Sequence, residues 1–181
     1  LKSGAGSTSG VFEYKSGDRG HKVITDVVYP ASQGGNVPTA QTYKAGTFDA
    51  SALTLAYHNP SATADSKIIL ESESSVLCFQ MKGTDKLNSI KVAIKGGKTY
   101  TLSVVPAVAL SSTAKPFYIV VPAQKADRVD VTFTSSSGSM NRILSSKSFV
   151  AGKLHKFAPL TYKADKSYRI MSYNIGQCTQ G

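Results

Sequence analysis

The stretch SSVLCFQMKGTDKLNSIKVAI, residues 74–94, decides the fold class of this 181-residue chain. Residues 76–81 are apolar on both faces of an extended segment, which is typical of a strand buried on both sides. In residues 89–95, Ile90, Val92 and Ile94 then lie on one face and Lys91 and Lys95 on the other, which predicts a half-buried strand. The sequence therefore predicts two consecutive strands, the first of them central.

Segments of the same kind continue on both sides and are separated by clusters of Gly, Pro, Ser and Asn. No window of ten or more residues repeats apolar positions at helical spacing, so we expect an all-β fold. About nine or ten strands with turns at regular intervals favour a Greek-key β-sandwich. The predicted strands are 11–14, 22–29, 53–57, 76–81, 89–95, 99–104, 117–121, 128–134, 143–150 and 156–157.

The alternation also predicts which side chains form the core and where the chain turns. Gly96 and Gly97 should close a tight hairpin, because glycine tolerates positive φ. Pro30 should end the second strand, because proline cannot donate to a ladder. The predicted core residues are Leu77, Phe79, Ile90, Val92, Ile94, Tyr118, Val120, Val129, Val131 and Phe133.

Residues 33–53 form a long segment with little strand pattern. Segments of this length inside a compact domain are usually functional or disordered. Two interpretations remain open from the sequence: a loop with a binding role, and an ordered crossover between sheets. The second interpretation is favoured.

The formal net charge is +10, from 21 Lys and Arg against 11 Asp and Glu. An anionic partner such as nucleic acid or polysaccharide is one interpretation. However, the lysines alternate with core positions and form no dense basic run, which favours a solvated face protected against edge pairing. We therefore do not expect nucleic acid as a partner of the sandwich.

The two cysteines, Cys78 and Cys178, are too few for a disulfide scaffold or a zinc site. Cys78 lies inside the predicted central strand and should be a buried free thiol, so a bridge to Cys178 is not expected. The chain has no run of 18 apolar residues, which excludes a membrane-spanning helix. Any export signal is expected to be removed or to lie outside this sequence.

Catalytic and metal-binding patterns are sparse. The Gly-rich stretches lack the lysine-hydroxyl ending of a nucleotide loop and should be turns. His21, His58 and His155 stand alone, without a second ligand at metal-binding spacing. Glu71 and Glu73 should lie on one side of an extended segment and could hold a cation, although a solvated loop is the favoured interpretation. We therefore expect no catalytic residues and no cofactor in this chain.

Residues 10–162 resemble fimbrillin-like domains, the β-sandwich modules of surface pilins and adhesion-like lipoproteins in anaerobic Gram-negative bacteria. The motifs VVYPAS, TYKAGTFDASAL, SSVLCFQMKGTDKLNSIKVAI, PFYIVVPA and SKSFVAGKLHKFAPLTY follow in the family's order. The resemblance implies a secreted domain of the cell surface or outer envelope that binds a surface protein or glycan, or polymerises. The family's opening strands and lipidated N-terminal cysteine are absent from this sequence, so membrane attachment would require a missing lipid anchor.

The end of the chain carries a second resemblance. RIMSYNIGQ, residues 169–177, is similar to the first strand of the endonuclease/exonuclease/phosphatase family, whose strand ends in an asparagine at the metal and phosphate site. Here that residue is Asn174, which would bind metal only if the second domain were completed. The alternative is a last edge strand of the sandwich. The predicted division is therefore a sandwich over 1–162 and a linker with the start of a second domain over 163–181.

Together these resemblances predict a non-catalytic surface-binding or adhesion-type module. It would be the N-terminal accessory domain of a secreted metal-dependent phosphodiesterase-like or phosphatase-like protein. A complete parent of this kind implies Mg²⁺ or Mn²⁺. The alternative function is a stand-alone fimbrial or adhesin subunit.

Overall fold

The structure is a computed structural model, and it describes residues 23–63 and 66–165. Strands make up 57% of these residues and short 3-10 turns make up 4%, so the predicted all-β fold class is confirmed. The Greek-key and fimbrillin-like parts of that expectation stay predictions. The strands in chain order are β1 (Asp26–Tyr29), β2 (Ala40–Thr42), β3 (Leu55–His58), β4 (Glu71–Ser72), β5 (Ser74–Lys82), β6 (Lys86–Ile94), β7 (Thr99–Ala109), β8 (Lys115–Pro122), β9 (Gln124–Ser135), β10 (Gly138–Phe149), β11 (Leu154–Lys156) and β12 (Leu160–Thr161).

The described strands form three sheets. The largest has the order β10-β9-β6-β7-β2, and its neighbours are antiparallel except for β2 against β7. In the second sheet β5 is central, with β8 antiparallel on one side and β11 and β12 parallel on the other. The third is a small antiparallel sheet of order β1-β3-β4. The two larger sheets share one hydrophobic core, in which Phe79 of β5 meets Phe133 of β9 edge to face at 5.4 Å.

β5 is the central strand that its composition predicts. Leu77, Phe79 and Met81 are buried on its core face, and Cys78 is buried on the opposite face. Burial also raises the pKa of the Cys78 thiol, as expected for a structural cysteine. The Phe79 ring stacks on Phe157 at 4.9 Å, so the segment after β11 covers the same core.

Nine of the ten predicted core residues are buried, and the exception is Tyr118, which is only half-buried. The residues of β8 that face the core are Phe117, Ile119 and Val121, one position out of phase with the prediction. Val120 is nevertheless buried, although its side chain is in phase with Tyr118 rather than with Phe117 and Ile119. The alternation of β8 is ambiguous because both of its faces carry apolar residues.

The 33–53 segment is an ordered crossover between sheets, as the favoured interpretation predicted. It contributes β2 to the largest sheet and then enters β3 of the small sheet. Asp49 fixes the second half of this segment. The Asp49 carboxylate accepts hydrogen bonds from Thr42 N at 2.9 Å and from Ser51 Oγ at 2.7 Å. The crossover therefore holds its shape through backbone and side-chain hydrogen bonds.

Gln41 of β2 joins the crossover to the second sheet. Its side chain is 3% exposed; Nε2 donates to Val120 O at 2.7 Å, and Oε1 accepts from Val120 N at 2.8 Å. These groups of Val120 point away from β5, so the Gln41 amide occupies the place of a neighbouring strand. Pro116 and Pro122 are an even number of residues from Val120, so their backbone nitrogens also point away from β5. Because proline has no N–H, this outer edge of β8 has few free hydrogen-bond donors.

The predicted turns are also present. Pro30 directly follows the last residue of β1. Gly96, with φ of +75°, lies in the loop between β6 and β7, where Gly97 N donates to Ile94 O at 2.9 Å. A residue with a side chain would be strained at the positive φ of Gly96.

Described residues after β12 still contact the sandwich. Tyr162 is buried and its hydroxyl donates to Gly138 O at 2.6 Å. Asp165 N donates to Ser139 O at 2.7 Å, and its carboxylate accepts from Asn141 N at 2.8 Å. The boundary between 162 and 163 stays a prediction.

Several sequence predictions fall outside the described residues. These are the strand at 11–14, His21, Cys178, the strand of the second domain and its Asn174. Within the described ranges, the chain contains no helix of the length and apolar character that crossing a membrane requires.

Candidate binding cleft

An acidic cleft lies on one face of the small sheet. The register pairs Asp26 of β1 with His58 of β3, and Ala56 of β3 with Glu71 of β4. Because paired residues in neighbouring strands project to the same side, these four side chains share one face. Glu73 lies two residues after Glu71, so its side chain projects to the same side. Both residues line the cleft, which agrees with the prediction that their carboxylates share one side.

The backbone around Glu73 is held on both sides. Glu73 N donates to Thr54 O at 3.0 Å, and Ala123 N donates to Glu73 O at 3.0 Å. The second bond ties the small sheet to the turn between β8 and β9. The position of Glu73 is therefore set by elements that are far apart in sequence.

The other walls of the cleft are small and mostly apolar. They come from Gly35 and Val37 of the crossover, from Pro122 and Ala123 of the β8–β9 turn, and from Ala151. Gly35 has φ of +77°, and a Cβ there would lie 3.2 Å from Val28 Cγ1. Both its conformation and its close approach to β1 therefore favour glycine. The cleft has a volume of about 570 Å³, which is within the range of small-ligand sites.

The cleft is negative although the chain as a whole is positive. Glu71 and Glu73 are both exposed, and none of the described lining residues is Lys or Arg. At its edge, His58 Nδ1 lies 2.5 Å from Asp26 Oδ1. The hydrogen bond with His58 is the main cause that lowers the pKa of the Asp26 carboxyl, and a hydrogen bond with Thr25 lowers it further. The side chains of His58 and Asp26 are 71% and 60% exposed, so this pair lies in solvent at the mouth of the cleft.

Thr54 is the unusual polar residue of the cleft. It is 1% exposed, it lines the cleft, and its Oγ1 has no hydrogen-bond partner among the described residues. A buried hydroxyl without a partner is costly for the folded state. Such groups are informative because native structures contain few of them.

Of the candidates that the structure describes, His58, Glu71 and Glu73 line the cleft and His155 does not. His155 lies away from the cleft lining; its Nε2 accepts from Val150 N at 3.2 Å, and its ring contacts Phe149 edge to face. Within 23–63 and 66–165, no three His, Cys, Asp or Glu side chains are arranged to hold a metal ion. What the described arrangement can do chemically is accept hydrogen bonds and attract positive charge.

A second depression, the apolar groove, lies on the opposite face of the segment that leads into β5. Its lining includes Phe48, Leu53, Val76, Tyr118 and Leu154, and its volume is about 400 Å³. Ser72 borders both depressions. Since Glu71 and Glu73 project to one side of this segment and Ser72 and Ser74 to the other, the two depressions are separate sites.

Sequence reasoning found Glu71 and Glu73 but missed Thr54 and the pairing of Asp26 with His58. The only sequence signal for that pairing would have been the register of β1 against β3, which the short strands do not specify. Comparison of the chain with protein-family models gives no match, and comparison with curated proteins gives none either. The resemblances to fimbrillin-like domains and to the endonuclease/exonuclease/phosphatase family therefore stay predictions.

Proposed function

We propose that this chain is a non-catalytic surface-binding or adhesion-type β-sandwich module that contacts its partner through the acidic cleft. One observation carries the proposal: Glu71 and Glu73 line an open cleft, and none of the described residues of its lining is Lys or Arg. The resemblance of residues 10–162 to fimbrillin-like domains supports a role at the cell surface or in the outer envelope, with a surface protein or a glycan as partner.

In the same proposal the module is the N-terminal accessory domain of a secreted metal-dependent phosphodiesterase-like or phosphatase-like protein. The support is the resemblance of residues 169–177 to the first strand of that enzyme family. Catalysis and Mg²⁺ or Mn²⁺ binding then belong to the completed second domain, in which Asn174 would contribute to the metal site. The sandwich contributes binding.

The binding role is tested with the purified chain on a glycan array and on a panel of purified extracellular proteins. Glu71→Gln combined with Glu73→Gln should abolish the signal on any specific partner. The matched control is Asp85→Asn combined with Asp127→Asn, which makes the same change in net charge outside the cleft lining and should leave the signal unchanged. Equal binding by both double variants, or no binding to any partner, would refute the proposal.

The non-catalytic role has its own test. The chain is incubated with Mg²⁺ or Mn²⁺ and with DNA, inositol phosphates and a model phosphodiester. We expect no turnover, because one asparagine does not activate water against a phosphodiester. Turnover that is lost in Asn174→Ala would contradict this part of the proposal.

A further inference from the structure

The outer edge of β10 is hydrogen-bonded over its first part. β10 is an edge strand of the largest sheet, so its outer backbone groups have no neighbouring described strand. Asp165 occupies the edge at one point: Asp165 N donates to Ser139 O at 2.7 Å, and Asn141 N donates to Asp165 Oδ2 at 2.8 Å. Further along, from Ile143 to Ser145, none of the described residues bonds this edge.

The direction of the chain along β10 follows from two neighbouring residues. A Cβ on Gly138 would lie 3.2 Å from Ala164 Cβ, so Ala164 lies beside the first residue of β10. Asp165 lies further along, against Ser139 and Asn141. Successive residues of this segment therefore advance in the same direction as β10.

Asp165 also has the register of a parallel strand. In a parallel ladder, a residue bonds the two neighbours of the residue opposite it, through its N–H on one side and its C=O on the other. Asp165 bonds both neighbours of Met140, with its carboxylate in the place of its carbonyl oxygen. Continuation of this register places Tyr168 opposite Ile143.

The edge and the sequence that follows Asp165 are complementary. Ile143 is 57% exposed, and Tyr168 would cover it because opposite residues project to the same face. Residues 166–169, Lys-Ser-Tyr-Arg, contain neither Gly nor Pro, the residues that interrupt strands. Ser146 has φ of +43° and is missing from the register with β9, so the ladder should end before Ser146.

We infer that residues 166–169 add to the outer edge of β10 as a parallel strand. In this strand Ser167 N donates to Asn141 O, and Ile143 N donates to Ser167 O. Asn141 O also accepts from Arg142 Nη1 at 2.6 Å, and a carbonyl oxygen can accept two hydrogen bonds. This inference goes beyond the proposed function, because it concerns the predicted linker and does not depend on the acidic cleft. The linker is then a strap over an edge that would otherwise invite pairing with other chains.

The experiment is amide hydrogen exchange of the whole chain, followed by NMR. Ser167→Pro removes the N–H that faces β10 and should break the ladder. Lys166→Pro is the matched control, because strand alternation points the N–H of Lys166 away from β10 and proline is tolerated at such edge positions.

We expect the Ile143 amide to exchange about tenfold faster in Ser167→Pro than in the unaltered chain, as expected when hydrogen bonds that close an edge are lost. In Lys166→Pro the Ile143 amide should exchange as it does in the unaltered chain. Nuclear Overhauser contacts between the Tyr168 ring and the Ile143 methyl groups should be present in the unaltered chain and lost in Ser167→Pro.

Three results would overturn the inference. The first is equal exchange of the Ile143 amide in all three chains. The second is equal acceleration in both proline variants, which would exclude this register. The third is protection of Ile143 that increases with protein concentration together with a dimer in analytical ultracentrifugation, which would assign the edge to a second copy. None of these results bears on the cleft, whose role is tested separately by the glutamate variants.

Discussion

Replacing Gln41 with methionine tests the hydrogen bonds that connect the crossover to β8 of the second sheet. Methionine keeps the length of the side chain but removes the amide, so Val120 N and Val120 O lose the hydrogen bonds at 2.8 and 2.7 Å. The site is buried, with Gln41 3% and Val120 0% exposed. An unsatisfied buried backbone group costs about 1–3 kcal/mol, so loss of both partners should lower the free energy of unfolding by about 2–6 kcal/mol. That is a large part of the roughly 5–15 kcal/mol by which domains are stable.

The assay is urea unfolding followed by far-ultraviolet circular dichroism, because the chain contains no Trp. Gln41→Glu adds a test with a defined sign. A neutral carboxyl at this position can still donate to Val120 O and accept from Val120 N, whereas a carboxylate opposes Val120 O. Burial and that opposition should raise the pKa of the introduced carboxyl above its unfolded value of about 4.3.

The variant should therefore be close to the unaltered chain below about pH 4 and should lose stability as the pH rises through the folded-state pKa. A cost below about 0.5 kcal/mol for Gln41→Met would refute the reasoning, since that is the size of an ordinary surface substitution. The reasoning would also be refuted if the free energy of unfolding of Gln41→Glu, relative to the unaltered chain, did not change with pH.

Two further predictions concern the crossover and the core. Burial acts to raise the pKa of the Asp49 carboxyl, but hydrogen bonds from Ser51 and Thr42, together with the charge of Lys44, lower it overall; Asp49→Ala should therefore cost about 0.5–2 kcal/mol at neutral pH. The Asp49 carboxylate stabilises the fold above its unfolded-state pKa, and this stabilisation is lost as the pH falls through the lower folded-state pKa. The difference in the free energy of unfolding between Asp49→Ala and the unaltered chain should therefore shrink when unfolding is measured from pH 7 down to pH 3. Phe79→Ala removes the ring between Phe133 and Phe157 and should lower the free energy of unfolding by about 3–5 kcal/mol in the same urea assay. Val105→Ala is the control, because Val105 is 75% exposed, and it should change the free energy of unfolding by no more than about 0.5 kcal/mol. Equal costs for the two variants would contradict the assignment of the core.

Period-two alternation predicted the strands well where one face of the strand is buried. Ile90, Val92 and Ile94 of β6 are all buried, as predicted. The pattern failed at Tyr118, because β8 is apolar on both faces and alternation does not then indicate which face meets the core. It also missed β2, β4 and β12, which have two or three residues each and are too short to show a period.

The candidate cleft was predictable only in part for a related reason. Glu71 and Glu73 are two residues apart, so extended geometry alone places them on one side. Thr54 reaches the same cleft because Thr54 O accepts from Glu73 N, and Ala123 enters through its own bond to Glu73 O. These contacts join residues about 19 and 50 positions apart, and local pattern carries no information about pairings at that distance.

Side chains complete the strand edges of this fold, which also explains why strand order is hard to derive from its sequence. Gln41 satisfies the outer edge of β8 at Val120, and Asp165 satisfies that of β10 at Asn141. In both places a polar side chain bonds the backbone where a neighbouring strand would otherwise pair. An exposed edge invites pairing with other chains, so these bonds protect the sandwich as well as stabilising it. From the sequence pattern, Gln41 and Asp165 would be assigned as polar loop residues. Only the structure of the crossover and of the segment after β12 shows that each lies against a strand edge.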